Sequence, residues 1–303
     1  MRIIITGGTG LIGKALCPLL LADGHLITVL SRHPDAERGM PRGVRIEEWD
    51  GKTTEGWSHL VNGADAIINL AGAGIADRPW TAQRKQLIRE SRIHAGLALQ
   101  KAIKQAAQKP KVLIQSSAVG YYGAQHDDTI ITEASAPGQD FLAKVCFDWE
   151  MSTAPLTKLG IRRPVIRTGV VLSKAGGALP KMLLPFKFFA GGPIGSGKQW
   201  LPWIHITDQV RAIKFLLDTP TADGAFNLAS PNPMTNKQFG EILGATMRRP
   251  SFMPTPGLAM KAIFGEMSTV LLDGQRVIPQ RLEELGFSFT FPTLREALGD
   301  LLK

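Results

Sequence analysis

Eight residues near the N-terminus, Thr6-Gly7-Gly8-Thr9-Gly10-Leu11-Ile12-Gly13, restrict what this chain can fold into more than any other feature. They follow a short β-branched run over 2–6 and precede Leu11, Ile12, Ala15, Leu16, Leu19 and Leu20, which keep helical spacing up to Asp23-Gly24. The order is strand, turn, helix. Gly7, Gly10 and Gly13 fall at every third position. Glycine there permits the tight turn, the close approach of backbone to a pyrophosphate and the packing of helix on strand. The helix start offers unpaired N–H groups to phosphate oxygens. Gly7, Thr9, Gly10, Leu11, Ile12 and Gly13 are therefore the expected contacts of a dinucleotide.

The same rhythm continues. Apolar runs over 26–30, 44–49, 66–70, 112–115 and 165–167 read as strands buried on both faces of a parallel sheet. Between them, 81–108 reads as one long helix stopped by Lys109-Pro110, and 140–153 as another. Such alternation predicts an α/β fold, a Rossmann-type doubly wound parallel sheet with its ligand in the crevice at the strands' carboxyl ends. Past residue 172 the texture changes, with Gly and Pro frequent over 176–202. This predicts a dinucleotide-binding domain over 1–172 and a smaller α+β substrate lobe over 173–203 and 231–303. A helix over 208–218 and a strand over 224–228 place 204–230 back with the first domain.

The strand over 26–30 leads into Ser31-Arg32, where an acid binding the ribose 2′-hydroxyl of NAD would stand. A hydroxyl and a guanidinium suit a 2′-phosphate instead, so the expected cofactor is NADP(H).

Composition narrows the function classes. Of 303 residues 44% are hydrophobic and 20% charged, values of an ordinary globular chain. The net charge of +9 is dispersed, with no basic run beyond three residues, so no nucleic-acid partner is expected. No apolar run approaches the ~18 residues of a membrane span, and three apolar residues after Arg2 cannot make a signal core. A cytoplasmic protein with a small-molecule substrate and no membrane partner is expected. Cys17 and Cys146 read as buried free thiols, and the six histidines show no metal-ligand spacing, so no metal is expected. Gly192 to Lys198 imitates a P-loop, but Gln199 replaces the Ser or Thr that would ligate magnesium, and Pro202 prevents a following helix. That stretch reads as a mobile loop closing over the cleft. His205 reads as a structural residue at a helix start.

Further motifs carry a resemblance. They are Asn69-Leu70-Ala71-Gly72, Glu90-Ser91-Arg92, Ser116-Ser117-Ala118-Val119-Gly120-Tyr121-Tyr122-Gly123, Asp148-Trp149-Glu150, Arg167-Thr168-Gly169-Val170-Val171-Leu172, Gly191 to Gly197, Trp203 to Asp208 and Pro279-Gln280-Arg281-Leu282. On these, over its full length, the chain resembles the extended short-chain dehydrogenases/reductases. More narrowly it is similar to the "epimerase family" branch of NAD(P)-dependent epimerase/dehydratases, which sometimes carries a cell-division-inhibitor label. The resemblance implies that Leu70 and Ala71, with Gly72, flank the adenosine and that Val171 lies near the nicotinamide. Asp50 either meets adenine or only makes a turn. Arg92 reaches cofactor phosphate or ribose, or else forms a buried salt bridge with Glu90 or Glu133.

That superfamily usually presents Ser, Tyr and Lys, the last two spaced Y-x-x-x-K. Ser117 and Lys144 fit, but Asp140 stands in the tyrosine place. The chain has two tyrosines, Tyr121 and Tyr122, adjacent in the loop after the fifth strand. Three readings stay open: one of these tyrosines handles the proton, Asp140 does, or the usual chemistry is absent. The expected function is NADP(H)-dependent oxidoreductase or epimerase chemistry, with hydride transfer on a hydroxylated small molecule and nucleotide sugars among the candidates. The alternative is an NADPH-binding sensor or regulatory protein without turnover. A homodimer through two long helices is a common assembly of such folds.

Overall fold

Ile3, Ile4 and Ile5 are all buried, so strand β1 (Arg2–Thr6) is covered on both faces and sits in the middle of the sheet. The computed structural model describes residues 1–34 and 39–303. From β1 the chain passes through α1 (Leu11–Ala22) to β2 (Leu26–Ser31) and β3 (Val44–Glu48), then through β4 (Ala66–Asn69), α2 (Ala82–Gln105) and β5 (Val112–Ala118). After the short β6 (Ile130–Ile131) come α3 (Phe141–Met151), β7 (Pro164–Thr168), β8 (Val170–Leu172) and α4 (Leu179–Lys187). Next are β9 (Trp200–Leu201), β10 (Trp203–His205), α5 (Ile206–Asp218), β11 (Gly224–Leu228), β12 (Met234–Thr235) and α6 (Asn236–Met247). The C-terminal part holds α7 (Gly257–Phe264), α8 (Thr269–Leu272), β13 (Arg276–Val277), α9 (Gln280–Glu284) and α10 (Leu294–Leu301).

Seven strands form the central sheet in the order β11-β7-β5-β4-β1-β2-β3, every pair parallel. This is the Rossmann-type doubly wound sheet. The winding reverses between β1 and β4, which opens a crevice at their carboxyl ends. One face is covered by α1 and α5, whose Leu16, Leu20, Ile213 and Leu216 pack on Ile3, Ile5 and Ile68. The other face is covered by α2, whose Ala95, Leu99, Ala102 and Ile103 pack with Trp57 on Ile4 and Ile67. Leu179, Leu183 and Phe186 of α4 join Phe239 and Leu243 of α6 and Leu294 and Leu298 of α10 in a separate apolar cluster.

Two boundaries differ from the spacing. α2 ends at Gln105 rather than 108, because the Gln108 amide donates to Asn62 Oδ1 and pulls the chain out of the helix into β5. β5 continues three residues past 115 because Ser116, Ser117 and Ala118 pair with β7. Their polarity hid a buried strand end. Cys17 and Cys146 are free and buried, and burial pushes their thiols up, to about 11 and about 12. The P-loop-like stretch is tied down: Ile194 N donates to Asn236 Oδ1, and Met253, Thr255 and Gly195 exchange backbone hydrogen bonds along 191–195. Among the described residues no helix is long and apolar enough to cross a membrane, and no cluster of His, Cys, Asp or Glu could hold a metal.

Candidate functional site

The Gly-rich turn closes on the crevice between β1 and β4. Gly7 has φ +68°, and a Cβ there would lie 2.7 Å from the carbonyl carbon and oxygen of Leu70. Only glycine lets these two strand ends approach so closely. A Cβ on Gly13 would overlap the backbone of Gly8, so α1 presses directly on the turn. Gly10 is the N-cap of α1 and brings no capping side chain, which leaves the first-turn amides of Leu11, Ile12 and Gly13 without intrahelical acceptors. The floor is polar and connected. Thr6 Oγ1 donates to Asn69 Oδ1 at 2.7 Å, and Asn69 Nδ2 donates to Gln115 Oε1 at 3.0 Å, both buried. A glycine cradle, open amides and a positive helix end fit the pyrophosphate of a dinucleotide.

Around this turn the other candidates take definite places. Arg32 is exposed at the end of β2, with Gly51 alongside. Ser31 is buried and accepts the His33 amide at 3.2 Å. Asp50 Oδ1 accepts the amides of Lys52 and Thr53, each at 2.8 Å. Desolvation raises its carboxyl, yet these bonds together hold it below the usual range, and they shape the turn over 50–53. Arg92 lies beside Gly72 and donates to the carbonyls of Ala73 and Ile88 at 3.0 and 2.8 Å, its guanidinium 4.9 Å from the Trp149 ring centroid. Glu90 accepts from Gln86 and Glu133 accepts from Asn227, so neither forms the salt bridge with Arg92 that the sequence allowed. Val171 is half-buried in β8, and the Gly177 backbone beside it rests on the Leu11 side chain.

The catalytic candidates divide. Ser117 is buried, its hydroxyl donating to Glu150 Oε1 at 2.6 Å. Glu150 also receives Arg167 through two bonds, Nε to Oε1 at 2.9 Å and Nη2 to Oε2 at 3.0 Å. Arg167 Nη1 donates to the Tyr122 hydroxyl at 3.0 Å, which donates in turn to Asn227 Oδ1 at 2.6 Å. Burial pushes the Tyr122 phenol up to about 12, so it stays protonated in the floor. Tyr121 is half-buried with the Arg167 guanidinium 3.5 Å from its ring centroid. Asp140 is the N-cap of α3. Its Oδ1 accepts the Ala143 amide at 2.8 Å and its Oδ2 the Ala124 amide at 3.0 Å. Both oxygens are committed to backbone, and the position that usually holds a phenol starts a helix instead. Lys144 is exposed one turn further along α3. His205 caps α5 through Nδ1, which accepts the Thr207 amide at 3.0 Å, and burial lowers its pKa.

Two sets of residues escaped the sequence reading. Glu150, Arg167 and Asn227 form the buried network; Glu150 and Arg167 stood in noted motifs, but nothing in linear spacing joins α3, β7 and β11. The other set lines a cavity of about 370 Å³ bounded by Gly195, Ser196, Leu258, Lys261, Leu272 and Asp273. Asp273 accepts no hydrogen bond within the described residues. Burial raises the pKa of its carboxyl; His126 and Lys261 oppose that, and Asp140 adds to it.

Residues 3–229 match the model of the NAD dependent epimerase/dehydratase family, and residues 255–301 match that of a domain of unknown function. The chain belongs to the NAD dependent epimerase/dehydratase family. Within this family it is 40% identical over 310 residues to the Arabidopsis thaliana protein "Epimerase family protein SDR39U1 homolog, chloroplastic", covering 100% of this chain and 87% of that one. The crystal structure of human epimerase family protein SDR39U1 with NADPH superposes with a TM-score of 0.89 at 35% identity, covering 99% of both chains. A nucleoside-diphosphate sugar epimerase from Corynebacterium glutamicum gives 0.78 at 34% identity, covering 99% of this chain and 59% of that one. In this chain, the cavity wall formed by Leu258, Lys261, Leu272 and Asp273 comes from the segment matched by the second model.

Proposed function

We propose that the chain is an NADP(H)-dependent oxidoreductase or epimerase that transfers hydride on a hydroxylated small molecule. The observation that carries this reading is Arg32. An exposed guanidinium follows β2 beside a complete pyrophosphate cradle, where a ribose-binding acid would repel a 2′-phosphate. The human relative that superposes over 99% of the chain was solved with NADPH, which supports the same choice. The Corynebacterium relative supports a nucleotide sugar as the substrate.

Leu11, Ile12 and Gly13 would hold the pyrophosphate through their amides, and Arg32 the 2′-phosphate. Bound there, the nicotinamide supplies a hydride acceptor or donor for a carbinol carbon. This chain's side chains must then position the hydroxyl and move one proton. Tyr122 is unsuited, because its hydroxyl is buried and donated to Asn227. Half-buried Tyr121 and the carboxyl of Asp273, which accepts no hydrogen bond among the described residues, are the candidate proton-transfer groups, with Lys144 as the exposed cation on α3.

Fluorescence titration with NADPH and NADH in parallel, on the native chain and on Arg32→Ala, tests the cofactor. The native chain is expected to prefer NADPH. A charge-assisted hydrogen bond is worth ~1.5–3 kcal/mol, so the variant should lose roughly tenfold to a hundredfold in NADPH affinity and little in NADH affinity. Equal affinity for both nucleotides would overturn the NADP assignment.

A second reading, an NADPH-binding sensor without turnover, draws support from one observation. Ser117, Tyr122 and Asp140 are all committed to structural hydrogen bonds. Loss of deuterium from 4-deuterated NADPH in the presence of any nucleotide sugar or hydroxylated substrate, abolished by Tyr121→Phe or Lys144→Ala, would exclude it.

A further inference from the structure

Seven of the fifteen large hydrophobic side chains exposed among the described residues fall in two short spans, 184–189 and 252–263. Phe188, Phe252, Leu258 and Ile263 are 74, 69, 80 and 64% exposed, and no residue of α7 is buried. The fold lays these spans side by side. Met253 N donates to Gly191 O at 3.0 Å and Thr255 N to Pro193 O at 2.9 Å, while the Arg249 guanidinium lies 4.3 Å from the Phe189 ring centroid. The two spans therefore adjoin, and α7 follows directly on the second, so we read their exposed apolar side chains as one face. An exposed patch of this kind marks an interaction surface.

Its charge says what covers it. Between Glu150 and Asp208, and again between Glu241 and Glu266, the sequence contains no carboxylate, yet these stretches carry Lys187, Arg248, Arg249 and Lys261. Lys187, Arg248 and Lys261 are exposed among the apolar side chains. A second copy of the chain docked through this face would bring like charges together, which costs energy. A surface that is anionic outside and apolar within meets both properties. Exposed phenylalanines and leucines enter the acyl boundary while lysine and arginine stems reach back to the headgroups.

We propose that this face docks the protein on an anionic phospholipid bilayer. Gly257, Leu258 and Lys261 belong to α7 and also line the 370 Å³ cavity, so docking turns the mouth of that cavity toward the lipid. The chain lies on the membrane and does not span it. The sequence predicts no membrane partner because no spanning run exists; folding gathers four cations, dispersed along the chain, around one apolar face.

Co-sedimentation of the full chain with sucrose-loaded vesicles tests this. Binding is expected to mixed phosphatidylglycerol–phosphatidylcholine vesicles and not to phosphatidylcholine alone. It should weaken as salt rises from about 0.1 to about 1 M, where the screening length shrinks. Lys187→Glu should lower partitioning at least about fivefold, and Phe188→Ser with Phe252→Ser at least about tenfold. Leu26→Ser, equally exposed but at the opposite end of β2 from the crevice, should change nothing. Unchanged thermal midpoints show that the variants are folded. Failure to bind anionic vesicles overturns the proposal. So does a concentration-dependent dimer, or capture of an acidic protein, that the Phe188 and Phe252 changes abolish while vesicle binding is absent.

Discussion

Glu150 of α3 and Arg167 of β7 face each other through two parallel hydrogen bonds, with side chains only 11 and 6% exposed. The pair anchors the floor of the crevice, because Glu150 also receives Ser117 and Arg167 also reaches Tyr122. Removing one charge leaves the other buried and unpaired. Glu150→Gln should therefore cost roughly 3–5 kcal/mol in urea unfolding, whereas the double variant Glu150→Leu, Arg167→Met should cost less than that single change. If both cost the same, the pair contributes packing and not charge.

Gly7→Ala probes the cradle. A Cβ at φ +68° and 2.7 Å from the Leu70 carbonyl carbon must push β1 and β4 apart at their carboxyl ends. The strained conformation alone should cost more than about 1 kcal/mol, seen as a lower thermal midpoint. NADPH affinity should fall at least about tenfold in the same protein if the proposed cradle holds the pyrophosphate, since the crevice widens there.

Asp140→Ala separates a cap from a catalyst. Loss of the Ala143 and Ala124 hydrogen bonds should destabilise the chain by about 1 kcal/mol and leave NADPH affinity unchanged. Hydride exchange that survives this change rules out Asp140 as the proton-transfer group.

Alkaline conditions should weaken the fold. Tyr122 is raised from 10.0 to about 12, Cys17 from 9.0 to about 11 and Cys146 from 9.0 to about 12, all chiefly by burial. Each group holds its proton more tightly when folded than when unfolded. The stability they contribute is full below pH 9 and is lost as pH rises through the folded values. The unfolding free energy measured from pH 8 to 11 should fall with pH, and Cys146→Ala should flatten the slope.

How much of this was legible in the sequence depends on the range of the interaction. The Gly-rich turn, the strand runs and the Ser31-Arg32 end of the second strand are local: steric freedom at glycine and the burial of apolar residues act on neighbours in the chain. They led to the parallel sheet and to the crevice. The motif Asp148-Trp149-Glu150 and the motif beginning at Arg167 were visible but mute, because a carboxylate acquires a role only when another element delivers its partner. Asp140 showed the same limit from the other side. At the spacing of a catalytic tyrosine it looked chemical, and the fold spends one of its oxygens on a helix start and the other on the Ala124 amide.

By itself the sequence determined the doubly wound architecture, the Gly-rich turn and the basic residue that follows the second strand, since each rests on contacts within a few residues or on periodicity. Tertiary structure alone decided which polar side chains are buried together and which are open to a ligand. It set Ser117 against Glu150, withdrew Tyr122 into the floor, placed Asp273 in the wall of the cavity and gathered the exposed phenylalanines with their cations. Those outcomes depend on desolvation and on pairings between residues as much as 105 positions apart, such as Tyr122 and Asn227. No local rule encodes them.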